Sequence, residues 1–186
     1  MKIYLDNAAT TFPKPPKVYT SMMNYMMNIG SNPGRGASST SLAGNRVILN
    51  CRYALMDFFH FDKVENVVFT QNVTTSLNTL IKSCVQKGWH VITSSMDHNA
   101  TLRPLGALHS KGIIELDILS CSKDGLINVD DFVNALKPNT KLVILSHASN
   151  IIGSIQPLEA IGKICKKKDI FFIIDVGSEE HTSELQ

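Results

Sequence analysis

Several things are scarce in this sequence. It has a single tryptophan, and charged residues make up only 18% of its 186 positions, with a net charge of +2. So slight a basic excess carries no nucleic-acid footprint. No apolar run reaches the length of a membrane span, and the start Met1-Lys-Ile-Tyr-Leu-Asp6 lacks a signal-peptide layout. A cytoplasmic location is the expectation. No GxGxxG follows a strand, which argues against a dinucleotide enzyme, and GxxxxGK[ST], GxSxG and HExxH are also missing. The four cysteines, Cys51, Cys84, Cys121 and Cys165, form no CxxC and have no histidine at ligand spacing. No metal site is expected, and all four read as reduced and none as a nucleophile. Cys51, Cys84 and Cys165 fall on apolar helical stripes, where a thiol is commonly a small hydrophobe.

What is present is apolar: 44% of the residues are hydrophobic, enough for a sizeable core and against disorder. From about residue 64 strand and helix signals alternate. Strands are expected at Glu65–Thr70, His90–Ser94, Ile114–Leu119, Lys141–Ser146 and Ile170–Asp175. Helices are expected after Thr74, around 102–110, after Asn128 and over Pro157–Lys168. Such alternation predicts an α/β domain with a mainly parallel sheet. The first 63 residues differ. Phe12-Pro-Lys-Pro-Pro16 is a stiff connector. Val18, Met22, Tyr25, Met26 and Ile29 make a helical stripe expected to be core or subunit interface, and a long helix runs to about Phe59.

The C-terminus breaks this pattern. Ser178-Glu-Glu-His-Thr-Ser-Glu-Leu-Gln186 has no apolar period and resembles the in-frame translation of a sequencing-library adapter. Residues 177–186 are therefore expected to be a non-native tail on a truncated gene product. Without Glu179, Glu180 and Glu184 the net charge rises from +2 to +5, and His181 is set aside as a functional residue.

Ligands of open α/β sheets bind beyond the carboxyl ends of the strands. The expected strands deliver there Asn72-Val-Thr-Thr75, Asp97-His-Asn99, His147-Ala-Ser-Asn150 and Asp175. Each has a plain structural explanation as well as a functional one. Thr74 and Thr75 suit helix capping, or a phosphate held at a helix N-terminus. His98 suits a solvated loop, and Asn150 a turn. Asp175 follows four apolar residues, and a carboxylate there needs a partner. Together these groups suit pyridoxal 5′-phosphate (PLP), which needs a phosphate cradle, a stacking ring, a donor to its phenolic oxygen and an anion at its pyridinium nitrogen.

Ordered blocks carry a resemblance. Tyr4-Leu-Asp-Asn-Ala-Ala-Thr-Thr-Phe-Pro13, Asn32-Pro-Gly-Arg-Gly36, Asp97-His-Asn-Ala-Thr-Leu-Arg-Pro104, Ser146-His-Ala-Ser-Asn-Ile-Ile-Gly153 and Ile173-Ile-Asp175 resemble the class V aminotransferase family, and within it the cysteine desulfurases. The resemblance covers about residues 3–176. It implies a partial three-layer α/β/α PLP-transferase large domain (17–176) behind an N-terminal arm (1–16), truncated before the last strands. It implies Thr74, with the backbone at Val73, for phosphate, and His98 for ring stacking and proton transfer. Asn150 would lie near the phenolic oxygen and Asp175 at the pyridinium nitrogen. Arg35 reads equally as surface loop and as substrate contact. The activity implied is removal of sulfur from L-cysteine, giving alanine and a persulfide, in a homodimer that passes sulfur to an acceptor protein. Selenocysteine lyase or a small-molecule aminotransferase is the alternative. The family's Schiff-base lysine and persulfide cysteine have no counterpart here, and a glutamine of the pattern is replaced by Ser178. The chain alone is therefore expected to be inactive, and unpaired sheet edges to make it marginal and sticky.

Overall fold

The computed structural model describes residues 3–5, 7, 10–34, 36 and 38–177. Its elements run in the order α1 (Pro16–Asn24), α2 (Ser39–Phe58), α3 (Val73–Cys84), β1 (His90–Ser94), α4 (Asn99–Ser110), β2 (Glu115–Leu119), α5 (Val129–Ala135), β3 (Thr140–Ser146), α6 (Leu158–Lys167) and β4 (Phe171–Asp175). Short π-helical (Tyr25–Ile29) and 3-10 (Val64–Asn66) turns accompany α1 and α2. Two units can be separated, one formed by Met1–Thr11 with Thr70–Gln186 and the other by Phe12–Phe69.

The first unit holds one sheet of four parallel strands in the order β2-β1-β3-β4. Successive strand residues point to opposite faces, and the core divides accordingly. Ile92, Val143 and Leu145 face one way, onto Phe132 of α5 and Leu158, Ile161 and Cys165 of α6. Val91, Leu142 and Ile144 face the other way, onto Leu77 and Ile81 of α3 and Ala100 and Leu105 of α4. These are three layers, helices on both sides of a sheet. Chain handedness requires the division. The step from β1 to β2 carries α4 over one face, and the steps to β3 and β4 run the opposite way and carry α5 and α6 over the other. Fully burying each Ile or Leu here is worth about 1.5–3 kcal/mol.

Three expectations change. Glu65–Thr70 is not a strand: it opens as a 3-10 turn and continues without regular structure, with Val68 73% exposed. Its apolar residues suit a strand, but no strand among the described residues lies beside it to complete a ladder. The stripe of Val18, Met22, Tyr25, Met26 and Ile29 is not core in this chain, since Met22 and Met26 are exposed and Tyr25 and Ile29 only half-buried, which leaves the subunit-interface half of the expectation. Cys51 is exposed as well, because the stripe it shares with Val47 is not covered, whereas Cys165 is buried and Cys84 and Cys121 are half-buried. The expected tail, with Ser178 and His181, lies outside the described residues apart from Gly177. No described helix is long and apolar enough to cross a membrane.

Candidate active site

β1 lies between β2 and β3, so the chain leaves it first to one side and later to the other. The loops after β1 and β3 therefore diverge, and such a switch point opens a crevice at the carboxyl edge. Hydrogen bonds join the strand ends there into a continuous rim. Ser95 N–H donates to Leu119 O (2.8 Å), Ser146 N–H to Asp97 Oδ1 (2.5 Å) and His147 N–H to Asp175 O (2.9 Å).

α3 begins at this rim. Its N-cap is Asn72, whose Oδ1 accepts from Thr75 N–H at 2.8 Å. Capping therefore does not account for Thr74, which is exposed in the first turn with a hydroxyl that has no partner among the described residues. The first N–H groups of a helix lack internal acceptors and point outward with the positive end of the dipole. Val73 packs close to the end of β4, since a Cβ at Gly177 would lie 3.0 Å from both Val73 Cγ2 and Asp175 Oδ1. Asp175 is half-buried rather than buried, because β4 has no neighbour on its outer side among the described residues. Its Oδ1 accepts from Gly177 N–H at 2.9 Å, leaving Oδ2 uncommitted.

His98 caps α4: its Nδ1 accepts from Ala100 N–H at 3.1 Å. An accepting Nδ1 puts the proton of the neutral ring on Nε2. The ring is exposed and lines a cleft of about 580 Å³ between α3 and α4, together with Thr74, Asn78 and Arg103. Lys82 and Lys111 also line it and no acidic residue does, so the cleft favours an anion.

Asn150 and Asp175 do not line that cleft. Asn150 is exposed at the tip of a tight excursion after β3, closed by the Ala148–Ile155 bridge and by Ser149 N–H to Ser154 O at 3.0 Å. Its side-chain amide is uncommitted among the described residues. The structure thus brings Thr74 to His98 and Val73 to Asp175, and puts Asn150 on the loop that leaves the same rim. Arg35 lies outside the described residues. Among those residues no cluster of side chains could hold a metal ion.

Sequence reasoning missed two residues. Asp97 appeared only as part of a triplet, yet it is 5% exposed and links the loops of β1 and β3. A carboxylate three residues beyond a strand ending Thr93-Ser94 was the available signal. Ser149 is also buried, and its Oγ accepts from Ile151 N–H (3.3 Å) and Ile152 N–H (3.4 Å), which shapes the turn presenting Asn150.

A parallel sheet with this switch point, helices on both faces and a cationic cleft between α3 and α4 defines a three-layer α/β domain. The family model described as Aminotransferase class-V matches residues 3–182, and the chain belongs to that family. It is 35% identical over 179 residues to the cysteine desulfurase IscS of Mannheimia succiniciproducens, covering 93% of this chain and 44% of the relative. It is 32% identical to the mitosomal cysteine desulfurase of Trachipleistophora hominis, covering 95% and 41%. The apo cysteine desulfurase of Thermococcus onnurineus superposes with a TM-score of 0.85 at 29% identity, covering 94% and 44%. SspA in complex with cysteine superposes with a TM-score of 0.84 at 30% identity, covering 93% and 50%. The chain thus spans half or less of the length of these relatives.

Proposed function

We propose that this chain carries the cofactor-binding part of a PLP-dependent enzyme that removes sulfur from L-cysteine, leaving alanine and an enzyme-bound persulfide. The observation that carries the reading is the set of uncommitted polar groups on one rim: the Thr74 hydroxyl, His98 Nε2, the Asn150 amide and Asp175 Oδ2. These donors and acceptors fit a phosphorylated hydroxypyridine group by group. When bound, PLP supplies an electron-poor ring that accepts the electron pair released at the substrate α-carbon.

The chain's own residues hold and tune that ring. Thr74 and the first N–H groups of α3 bind the phosphate. Asp175 keeps the proton on the pyridine nitrogen, a charge-assisted contact about twice as strong as a neutral one. Asn150 donates to the phenolic oxygen. His98 covers one face of the ring and moves a proton at Nε2, since Nδ1 is engaged with Ala100. The cationic cleft beside His98 favours a carboxylate substrate.

Cys165 is not the sulfur acceptor. Burial pushes the Cys165 thiol up to about 11, so it holds almost no thiolate at neutral pH. Anchoring the cofactor also needs a lysine at the rim. Lys82, in the same cleft, sits eight residues along α3 from Thr74, roughly 12 Å away. We therefore assign activity to a longer protein and none to these 186 residues alone. The homodimer and sulfur-acceptor protein belong to the same proposal, and the exposed methionines of the α1 region offer apolar surface for subunit contact.

Reading the source DNA past the Asp175 codon, then assaying the encoded protein with PLP and L-cysteine, tests the proposal. An open frame continuing through a lysine and a later cysteine, with release of alanine, is expected. A frame that stops at Gln186, or a longer protein that releases no alanine, overturns it.

A further inference from the structure

The buried carboxylate of Asp97 has four donors and no cation. Oδ2 accepts from Thr93 Oγ1–H (2.9 Å), Ser94 N–H (2.7 Å) and Ser94 Oγ–H (2.8 Å), while Oδ1 accepts from Ser146 N–H (2.5 Å). No ion pair to Asp97 occurs among the described residues. Burying an anion without a counter-ion is costly, and hydrogen bonds from neutral donors offset only part of it. Three of the four bonds close the local turn, which an asparagine or a serine at that position could also close. The fourth reaches across 49 residues of sequence to the end of β3. Only an acceptor-only side chain satisfies both sides at once, because an amide would turn an N–H against either Ser146 N–H or the three local donors.

We propose that Asp97 is the positioning residue of this site, fixing the span between the loop that carries His98 and the loop that carries Asn150. Its two oxygens grip the two loops at the switch point. His98 follows Asp97 directly, and its ring is further fixed through Nδ1 to Ala100 N–H. On the other side Ser146 is followed by His147, whose N–H is held by Asp175 O, so the same link carries on to the Asp175 strand end. A ligand that touches all three loops needs this span held, whereas a ligand that touches only the α3 N-terminus does not. The inference rests on the PLP reading for the identity of the ligand, and on the hydrogen bonds alone for the link.

The test uses the 186-residue chain and Asp97→Asn, which keeps the size of the side chain; with its one oxygen turned to the three local donors, its amide N–H groups face Ser146 N–H. Amide exchange at Ser146 is expected to rise about tenfold or more while Ser94 stays protected. PLP affinity, measured by equilibrium dialysis, is expected to fall roughly tenfold, with inorganic phosphate affinity changed less than about twofold. A structural role alone would move both ligands alike. Equal losses for PLP and phosphate, or unchanged exchange at Ser146, overturn the proposal. Exchange at Ser146 decides the link in this chain whether or not it binds PLP, and the cofactor reading is decided on the longer protein. Should Asp97→Asn not fold, Ser146→Pro removes the donor from the other side of the same contact and is expected to show the same selective loss of PLP. Loss of fold in both variants would assign Asp97 to stability and overturn positioning.

Discussion

His90 Nδ1 and Thr140 Oγ1, both buried, lie 2.7 Å apart at the amino edge of the sheet, in a polar group that reaches the half-exposed Asp117 and so touches the three strands β2, β1 and β3. Thr140 Oγ1 accepts from Lys137 N–H at 2.7 Å and is free to donate to Nδ1. Nε2 then carries the proton, 3.0 Å from Asp117 Oδ2 but off the line of a straight hydrogen bond. The histidine side chain is 0% exposed, and Lys137 Nζ reaches the same Asp117 oxygen at 3.2 Å.

Burial, aided by the Lys137 charge, lowers the His90 pKa below 6.5, against the opposing pull of Asp117 and Glu115. The unfolded chain therefore takes up this proton first as pH falls. Stability from neutral His90 is full above about pH 6.5 and is lost as pH falls toward the lowered folded value. Urea unfolding is expected to show a lower midpoint at about pH 5.5 than at about pH 7.5, with a flatter dependence in His90→Gln. An identical pH slope in both proteins would contradict this.

Gly125 has φ +73° in the turn before α5, and a Cβ there would lie 2.5 Å from Ile152 Cδ1 and 2.8 Å from Ser154 Oγ. Gly125→Ala is expected to cost about 1–3 kcal/mol, from the left-handed backbone and the clash together. Adding Ile152→Ala should recover only the steric share. Thermal unfolding of the single and double variants separates the two contributions.

Thiol reactivity should rank by exposure. With a thiol-specific reagent at about pH 8, Cys51 is expected to react first and Cys165 only in denaturant, since it is buried and its pKa is about 11. Mass mapping of the labelled peptides would show the order. Early labelling of Cys165 would mean that α6 opens readily.

The proposed ligand contacts should part cleanly. Thr74→Val is expected to weaken both PLP and inorganic phosphate by about tenfold, as loss of a bond to a charged group implies. Asp175→Asn should weaken PLP and leave phosphate unchanged, because the proposal puts Asp175 at the ring and not at the phosphate. Equilibrium dialysis with each ligand reads both variants.

Much of this was legible in advance, for reasons that differ by residue. His90–Ser94 and Thr140–Ser146 are apolar, β-rich and bounded by turn residues, so four parallel strands could be located within a residue or so. Glu65–Thr70 carries the same composition and is not a strand, because pairing is supplied by neighbours and not by the segment itself. α4 starts at Asn99, earlier than its residue types suggest, since a histidine cap is a weaker signal than Ser, Asp or Asn. At the site, residue types identified Thr74, His98, Asn150 and Asp175 as candidates. Asp97 stayed hidden because its most informative contact spans 49 positions, and no local pattern announces such a bond.

The difference between strand order in the sheet and in the chain has a temporal consequence. β1, buried at every position, is the first of the four to be synthesised. His90 pairs with Glu115 and Thr140, twenty-five and fifty residues further along the chain. At roughly 5–20 residues per second, the nascent chain holds this apolar strand without its inner neighbour for about 2–10 s. During translation the most concealed segment of the finished sheet is therefore the one of its four strands longest on display.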